Sequence, residues 1–210
     1  MSMWDDRYAT GWAYGEQPND FLVSVANQLP AGGRVLCLAE GQGRNAVFLA
    51  QQGHTVTAVD LSTVGLTRTR ELAASRGVTV ETVHADLAAY DLGDGAWDAI
   101  IAIWAHTPSA VRRPLHRNVA RALRVGGAFV VESYRPEQIA LGTGGPKDKD
   151  LLPTADELRE DLAGLDLVQV NAIERDVHEG ALHAGRSAVV QLLGFRRSPV
   201  GATAATNGAV

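Results

Sequence analysis

The run Arg34-Val35-Leu36-Cys37-Leu38-Ala39-Glu40-Gly41-Gln42-Gly43-Arg44-Asn45-Ala46 ends an apolar stretch in a glycine turn that opens onto a helical pattern. A second apolar run, Val56-Thr57-Ala58-Val59, stops at Asp60. Strand, glycine turn, helix and a strand closing on a carboxylate make a unit built to hold a nucleoside. Gly41 and Gly43 let the backbone turn and approach a ligand without a Cβ in the way. Asp60 can accept hydrogen bonds from both ribose hydroxyls, so the spacing predicts an adenosine cofactor. A third run ends in Ala85-Asp86-Leu87, which brings another carboxylate to the same crevice, where it can meet an adenine amino group. The fourth run, Trp97 to Ile103, leads into Trp104-Ala105-His106-Thr107-Pro108 and sets an aromatic face and an imidazole beside the reacting end of that cofactor.

These groups need a scaffold that carries strand ends to one edge. Apolar runs of strand length alternate with segments of helical spacing, the pattern of a parallel sheet covered on both faces. Strands are expected near 34–38, 55–59, 79–84, 97–103 and 127–134, and helices near 45–52, 63–76, 109–124 and 154–163. Val125-Gly126-Gly127 reads as a left-handed glycine cap that ends the helix before it. Two β-rich runs, 166–176 and 184–196, look like a closing hairpin. The expectation is an α/β, Rossmann-like, doubly wound sheet of seven strands, mostly parallel with an antiparallel last strand, and helices on both faces. It forms a single domain over 1–197, with residues 1–30 as a cap or lid. Trp4, Tyr8 and Trp12 recur there at helical spacing, and a disordered tail spans 198–210.

With 46% apolar and 20% charged residues, 210 residues suit one soluble domain with a sizeable core. A net charge of −5 with only two lysines, Lys147 and Lys149, argues against nucleic acid as a partner. No run approaches the roughly 20 apolar residues of a membrane span, and no signal-peptide order opens the chain, so a cytoplasmic location is expected. The one cysteine, Cys37, excludes an internal disulfide and reads as a buried thiol. His178 and His183 are five apart with no third ligand at a suggestive spacing, so no metal is expected. Nothing in the sequence specifies an oligomeric state.

Gly41-x-Gly43-x-x-Ala46 fits the dinucleotide fingerprint as well, so the glycines leave NAD and S-adenosylmethionine both open. A short-chain reductase would want Tyr-x-x-x-Lys, and no tyrosine here has a lysine four positions on. Asp86, Trp104 and His106 favour the methyl donor. Trp4-Asp5-x-Arg7-Tyr8, Tyr14-Gly15-x-x-Pro18-Asn19, Glu40 to Ala46, Ala58-Val59-Asp60-Leu61-Ser62 and Ala85-Asp86-Leu87 resemble the class I S-adenosylmethionine-dependent methyltransferases, most of all the tellurite-resistance and thiopurine-type branch. The resemblance covers roughly residues 1–196.

What it implies is methyl transfer from S-adenosylmethionine to a small-molecule acceptor, such as a soft thiol or chalcogen nucleophile. Glu40, Gly41, Gly43, Asn45, Asp60, Leu61, Asp86, Leu87 and Trp104 would line the cofactor. The family commonly has an aspartate and a Gly-Cys pair where this chain has Cys37 and Ala39-Glu40, which moves the acid to Glu40 and leaves the methionine amino group to Glu40 or to backbone carbonyls. Catalytic roles fall to His106, and by the resemblance to His178 and Arg186, with Glu132 and Tyr134 also on the acceptor side. An NAD(P)-dependent reductase and a non-catalytic S-adenosylmethionine sensor are the competing functions. The glycine-rich loop 142–150 reads as an acceptor gate or as slack.

Overall fold

The computed structural model describes residues 3–180 and 183–198; the expected tail beyond 198 and the pair 181–182 lie outside them. The chain opens with α1 (Met3–Ala9) and α2 (Asp20–Val25) and then alternates: β1 (Arg34–Leu38), α3 (Arg44–Gln51), β2 (Thr55–Asp60), α4 (Thr63–Ser75), β3 (Glu81–His84), β4 (Trp97–Ile103), α5 (Ser109–Ala122) and β5 (Leu123–Tyr134). Then come α6 (Gln138–Leu141), α7 (Ala155–Asp161), β6 (Leu165–Glu179) and β7 (His183–Arg196).

All seven strands form one sheet in the order β3-β2-β1-β4-β5-β7-β6. Strands β1 to β5 pair in parallel, and β7 runs antiparallel between β5 and β6. The order reverses between β1 and β4, and the crevice outside the carboxyl ends of strands at such a switch point is where open α/β sheets bind ligands. Both faces of the sheet are covered because both sets of alternating side chains are apolar. Val35 and Cys37 of β1 enter one core with Phe21, Leu49 and Ile101, while Leu36 and Leu38 enter the other with Ile100, Phe129 and Leu158.

The expected glycine cap after α5 is not there. The helix stops at Ala122, and Leu123 pairs at once with Trp97; the next pair is Ala99 with Ala128, so residues 124–127 bulge out of the ladder. Gly126, at φ = 77°, serves that bulge and not a helix end. Trp12 also departs from its expected helix, since α1 ends at Ala9 and Trp12 packs against the core beneath. Helix α1 lies across the glycine turn: the Tyr8 ring covers Gly41 and Gly65, and the Ser62 hydroxyl donates to the Asp5 carboxylate at 2.6 Å.

Candidate cofactor and acceptor site

A hollow at the switch point holds about 870 Å³ of empty space, its open mouth included, within the roughly 300–1,000 Å³ usual for small-molecule sites. Glu40, Asn45, Asp60, Leu61, Asp86, Leu87, Trp104 and His106 all line it, as the sequence predicts. Gly41 and Gly43 stand one layer back. A Cβ on Gly43 would meet Thr69 at 2.6 Å and one on Gly41 would meet the Tyr8 hydroxyl at 2.6 Å, so these glycines admit the protein's own side chains and set the turn rather than touch the hollow. Ala39 adopts φ = 49° where glycine would be unstrained.

Glu40 decides what kind of ligand fits. Its Oε1 accepts the backbone N–H groups of Asn45 at 3.0 Å and Ala46 at 2.9 Å, at the first turn of α3. In dinucleotide folds those amides cradle a pyrophosphate. Here a carboxylate already holds them and would repel one. Burial lifts the Glu40 pKa to about 7, with the helix amides and Arg44 pulling the other way. Burial, and then the neighbouring Glu40 carboxyl group, push the Cys37 thiol well above its ordinary pKa.

Asp60 is 5% exposed and accepts Gly41 N–H at 2.8 Å and Ser62 N–H at 2.7 Å, one on each oxygen. A carboxylate offers about four lone-pair sites, so two remain for a ligand's hydroxyls. Asp86 Oδ1 accepts Ala88 N–H at 2.9 Å at the tip of β3. Its lining carboxylates are three, Glu40, Asp60 and Asp86, against one arginine, Arg44, already paired with Glu179. That is a lining for a ligand rich in donors and positive charge, as S-adenosylmethionine is through its ammonium, sulfonium, ribose diol and adenine amine.

The other half of the hollow is aromatic. Trp104 sits at φ = 57°, a left-handed conformation that is uncommon for a bulky residue and is found where the surroundings hold it. Its indole N–H donates to Glu179 at 2.7 Å, and its ring lies 4.9 Å from His183 and 4.5 Å from Tyr134. Tyr14 lies 4.5 Å from His183. His106 accepts the Tyr134 backbone N–H on Nε2 at 3.2 Å, so the neutral ring keeps its proton on Nδ1, and burial lowers its pKa to about 4.

His178 and Arg186 do not reach this place. Successive residues of a strand face opposite sides, and the inward set of the hairpin is Val177, Glu179 and His183, which leaves His178 exposed and Arg186 outside, 3.2 Å from Glu174. Tyr134 is buried behind Trp104 and His106 and does not line the hollow. Glu132, also fully buried, accepts from Asn19, Arg175 and Gln191 beneath it. The sequence reading missed Arg44, Arg175, Glu179 and His183. Glu179 accepts from Arg44, Arg175, Asn19 and Trp104 together, and the arginines hold its pKa below the ordinary carboxylate value. Loop 142–150 is pinned: Gln138 donates to Thr143 Oγ1 and to the Gly144 carbonyl, and Gly145 lies flat against the Tyr134 ring. Among the described residues no group of three or more His, Cys, Asp or Glu is arranged to hold a metal, and no helix is long and apolar enough to cross a membrane.

The family profile described as a methyltransferase domain matches residues 35–127, from the start of β1 to the bulge in β5. Over that stretch, less than half of its length, the chain is similar to a methyltransferase domain. The 2-heptyl-1-hydroxyquinolin-4(1H)-one methyltransferase of Mycobacteroides abscessus is 28% identical over 138 residues, which is 64% of this chain and 60% of that relative's length. Two solved structures are similar to this chain in fold. One, from work on the conversion of a disulfide bond into a thioacetal group during echinomycin biosynthesis, has a TM-score of 0.71 at 23% identity and covers 91% of this chain and 85% of its own. TehB from Haemophilus influenzae has a TM-score of 0.71 at 17% identity, covering 92% and 67%.

Proposed function

We propose that this protein is a class I S-adenosylmethionine-dependent methyltransferase, moving a methyl group from S-adenosylmethionine to a small, flat, soft or acidic nucleophile. The observation that carries the cofactor half is Glu40 on the α3 amides, which occupies the place of a pyrophosphate and presents negative charge to a cationic ligand. Asp60 would take the ribose hydroxyls and Asp86 the adenine amine, with Asn45, Leu61 and Leu87 as further walls. The cofactor supplies an electrophilic methyl group on a positively charged sulfur. Trp104 offers an aromatic face to that charge. The remaining contribution of the protein is alignment of acceptor and methyl group and exclusion of water, which can supply on the order of 7–11 kcal/mol.

The aromatic wall supports a flat acceptor, and the relative named for a hydroxyquinolinone supports the same class. Likeness to TehB supports the tellurite-type branch at the level of fold. Calorimetry with S-adenosylhomocysteine and with NADH tests the cofactor: the thioether binds and the dinucleotide does not, and the reverse result overturns the assignment. Formation of S-adenosylhomocysteine from S-adenosylmethionine with a panel of thiols, phenols, N-hydroxy heterocycles and amines tests the reaction; binding without turnover on any of them would leave a sensor.

A further inference from the structure

Resting on the methyl-transfer reading, we propose that Asn19, which does not line the hollow, is a positioning residue for the transfer: its side-chain amide fixes Glu179, and through Glu179 it holds the Trp104 ring where the methyl group is handed over.

Asn19 is fully buried, and every polar atom it has is engaged. Its backbone N–H donates to Asn45 Oδ1 at 2.9 Å, which ties it to the first turn of α3, and the neighbouring Arg44 donates to the Gln17 carbonyl at 3.1 Å. Its Oδ1 accepts Leu22 N–H at 2.9 Å and its carbonyl accepts Val23 N–H at 3.0 Å, so it starts α2. What remains is the amide nitrogen. One of its protons goes to Glu179 Oε1 at 2.8 Å and the other to Glu132 Oε2. A helix cap needs only the oxygen, and serine would supply that as well. The two donors are the part of this side chain that capping does not use.

Glu179 is where the effect reaches the hollow. Its Oε1 accepts from Asn19 and Arg175, and its Oε2 accepts from Arg44 and Trp104. Those donors fill a group that has about four lone-pair sites, so the carboxylate has one orientation. Trp104 needs that hold, because its φ of 57° is a conformation a bulky residue keeps only where its surroundings impose it. The choice of an amide also has a reason. Glu132 and Glu179 face Arg44 and Arg175, two anions against two cations. A neutral group with two donors can stand between the buried carboxylates without upsetting that balance. Removing it leaves Glu179 Oε1 to Arg175 alone, lets the carboxylate turn toward the arginines and lets Trp104 relax.

The test uses the full chain and calorimetry with S-adenosylmethionine and S-adenosylhomocysteine, which differ by the methyl group and the charge on sulfur. Asn19→Ser keeps the cap and the bond to Asn45 and removes the amide. It is expected to change the ratio of the two affinities by about fivefold or more, the scale of coupling between groups in one network. Loss of stability alone weakens both ligands alike and leaves the ratio where it was. In a Trp104→Phe background, which keeps a ring but lacks the indole N–H, Asn19→Ser should leave the ratio unmoved. A ratio unchanged by Asn19→Ser, or changed as much in the Trp104→Phe background, overturns the proposal. The Trp97 indole N–H, which donates to the Leu92 carbonyl at 2.7 Å, gives an NMR signal that reports whether each variant is folded. A second reading needs no variant at Asn19. In the native chain, the Asn19 side-chain amide proton signals should shift when S-adenosylhomocysteine is replaced by S-adenosylmethionine, although the residue stands outside the hollow; signals that stay in place overturn the proposal. Binding of neither ligand by the native chain would instead defeat the methyl-transfer reading on which it rests.

Discussion

The Trp104 indole N–H donates to Glu179 at 2.7 Å, joining the tip of β4 to the end of β6 across 75 residues of chain. Glu179 also holds Arg44 at the start of the cofactor helix and Arg175 on its own strand. Removing one partner of a buried ionic set leaves the others without compensation, at a cost of about 3–5 kcal/mol. Glu179→Ala should therefore lose stability on that scale in urea denaturation. A loss under about 1 kcal/mol, the size of an exposed pair, would mean that the set is solvated and holds nothing in place.

Asp60→Ala removes an acceptor from the Gly41 and Ser62 amides and from the proposed ribose contact. S-adenosylhomocysteine should bind about 1–3 kcal/mol more weakly by calorimetry, the penalty for unmet buried hydrogen bonds. Unchanged affinity would remove Asp60 from the cofactor site.

Glu40 gives a pH dependence with a definite sign. Burial raises its folded pKa from 4.5 to about 7, so the ligand-free protein is stabilised by this group below its unfolded pKa, and that stabilisation is lost as pH rises through the folded value. The melting temperature of the ligand-free protein should fall between about pH 5 and pH 8 by a component that Glu40→Gln abolishes. A cationic ligand favours the carboxylate, so S-adenosylmethionine should bind more tightly at about pH 8 than at about pH 6 and release protons on binding. Calorimetry in buffers of different ionisation enthalpy measures that release; an identical heat in every buffer refutes the link.

Two glycines of similar backbone conformation separate strain from collision. Gly43 has φ = 90°, and a Cβ there would stand 2.8 Å from the Thr69 backbone, whereas Gly53 has φ = 89° and nothing within 4 Å. Gly53→Ala should cost about 1–2 kcal/mol, the left-handed penalty alone. Gly43→Ala should cost more and also weaken S-adenosylhomocysteine, because α4 must move away from the turn. Equal costs in thermal melts would show that the Thr69 contact relaxes freely.

The half of the hollow lined by the strand ends β1 to β3 was legible because its information is local. Strand ends, a glycine turn and the acids Asp60 and Asp86 follow one another in the chain, and β1 and β4 fall at the residues expected from their apolar runs. The acceptor half depends on strand parity and on partners far apart in sequence. Reading the hairpin as 166–176 and 184–196 stopped short of Glu179, so nothing distinguished outward His178 from inward His183. Alternation through Arg175, Val177 and Glu179 carried that signal. Glu132 was expected on the acceptor side, yet pairing with Arg175 and Asn19 buries it, and no spacing announces a pair 43 positions apart.

Glu179 and His183 come from the last two strands, whereas the glycine turn, Asp60 and Asp86 all precede β4. Under the proposed function, recognition of the two reactants is thus divided along the polypeptide. On that reading, substitutions confined to the terminal hairpin would redirect which compound is modified while the donor's seat stays intact, so variation among related chains should concentrate there when their targets differ.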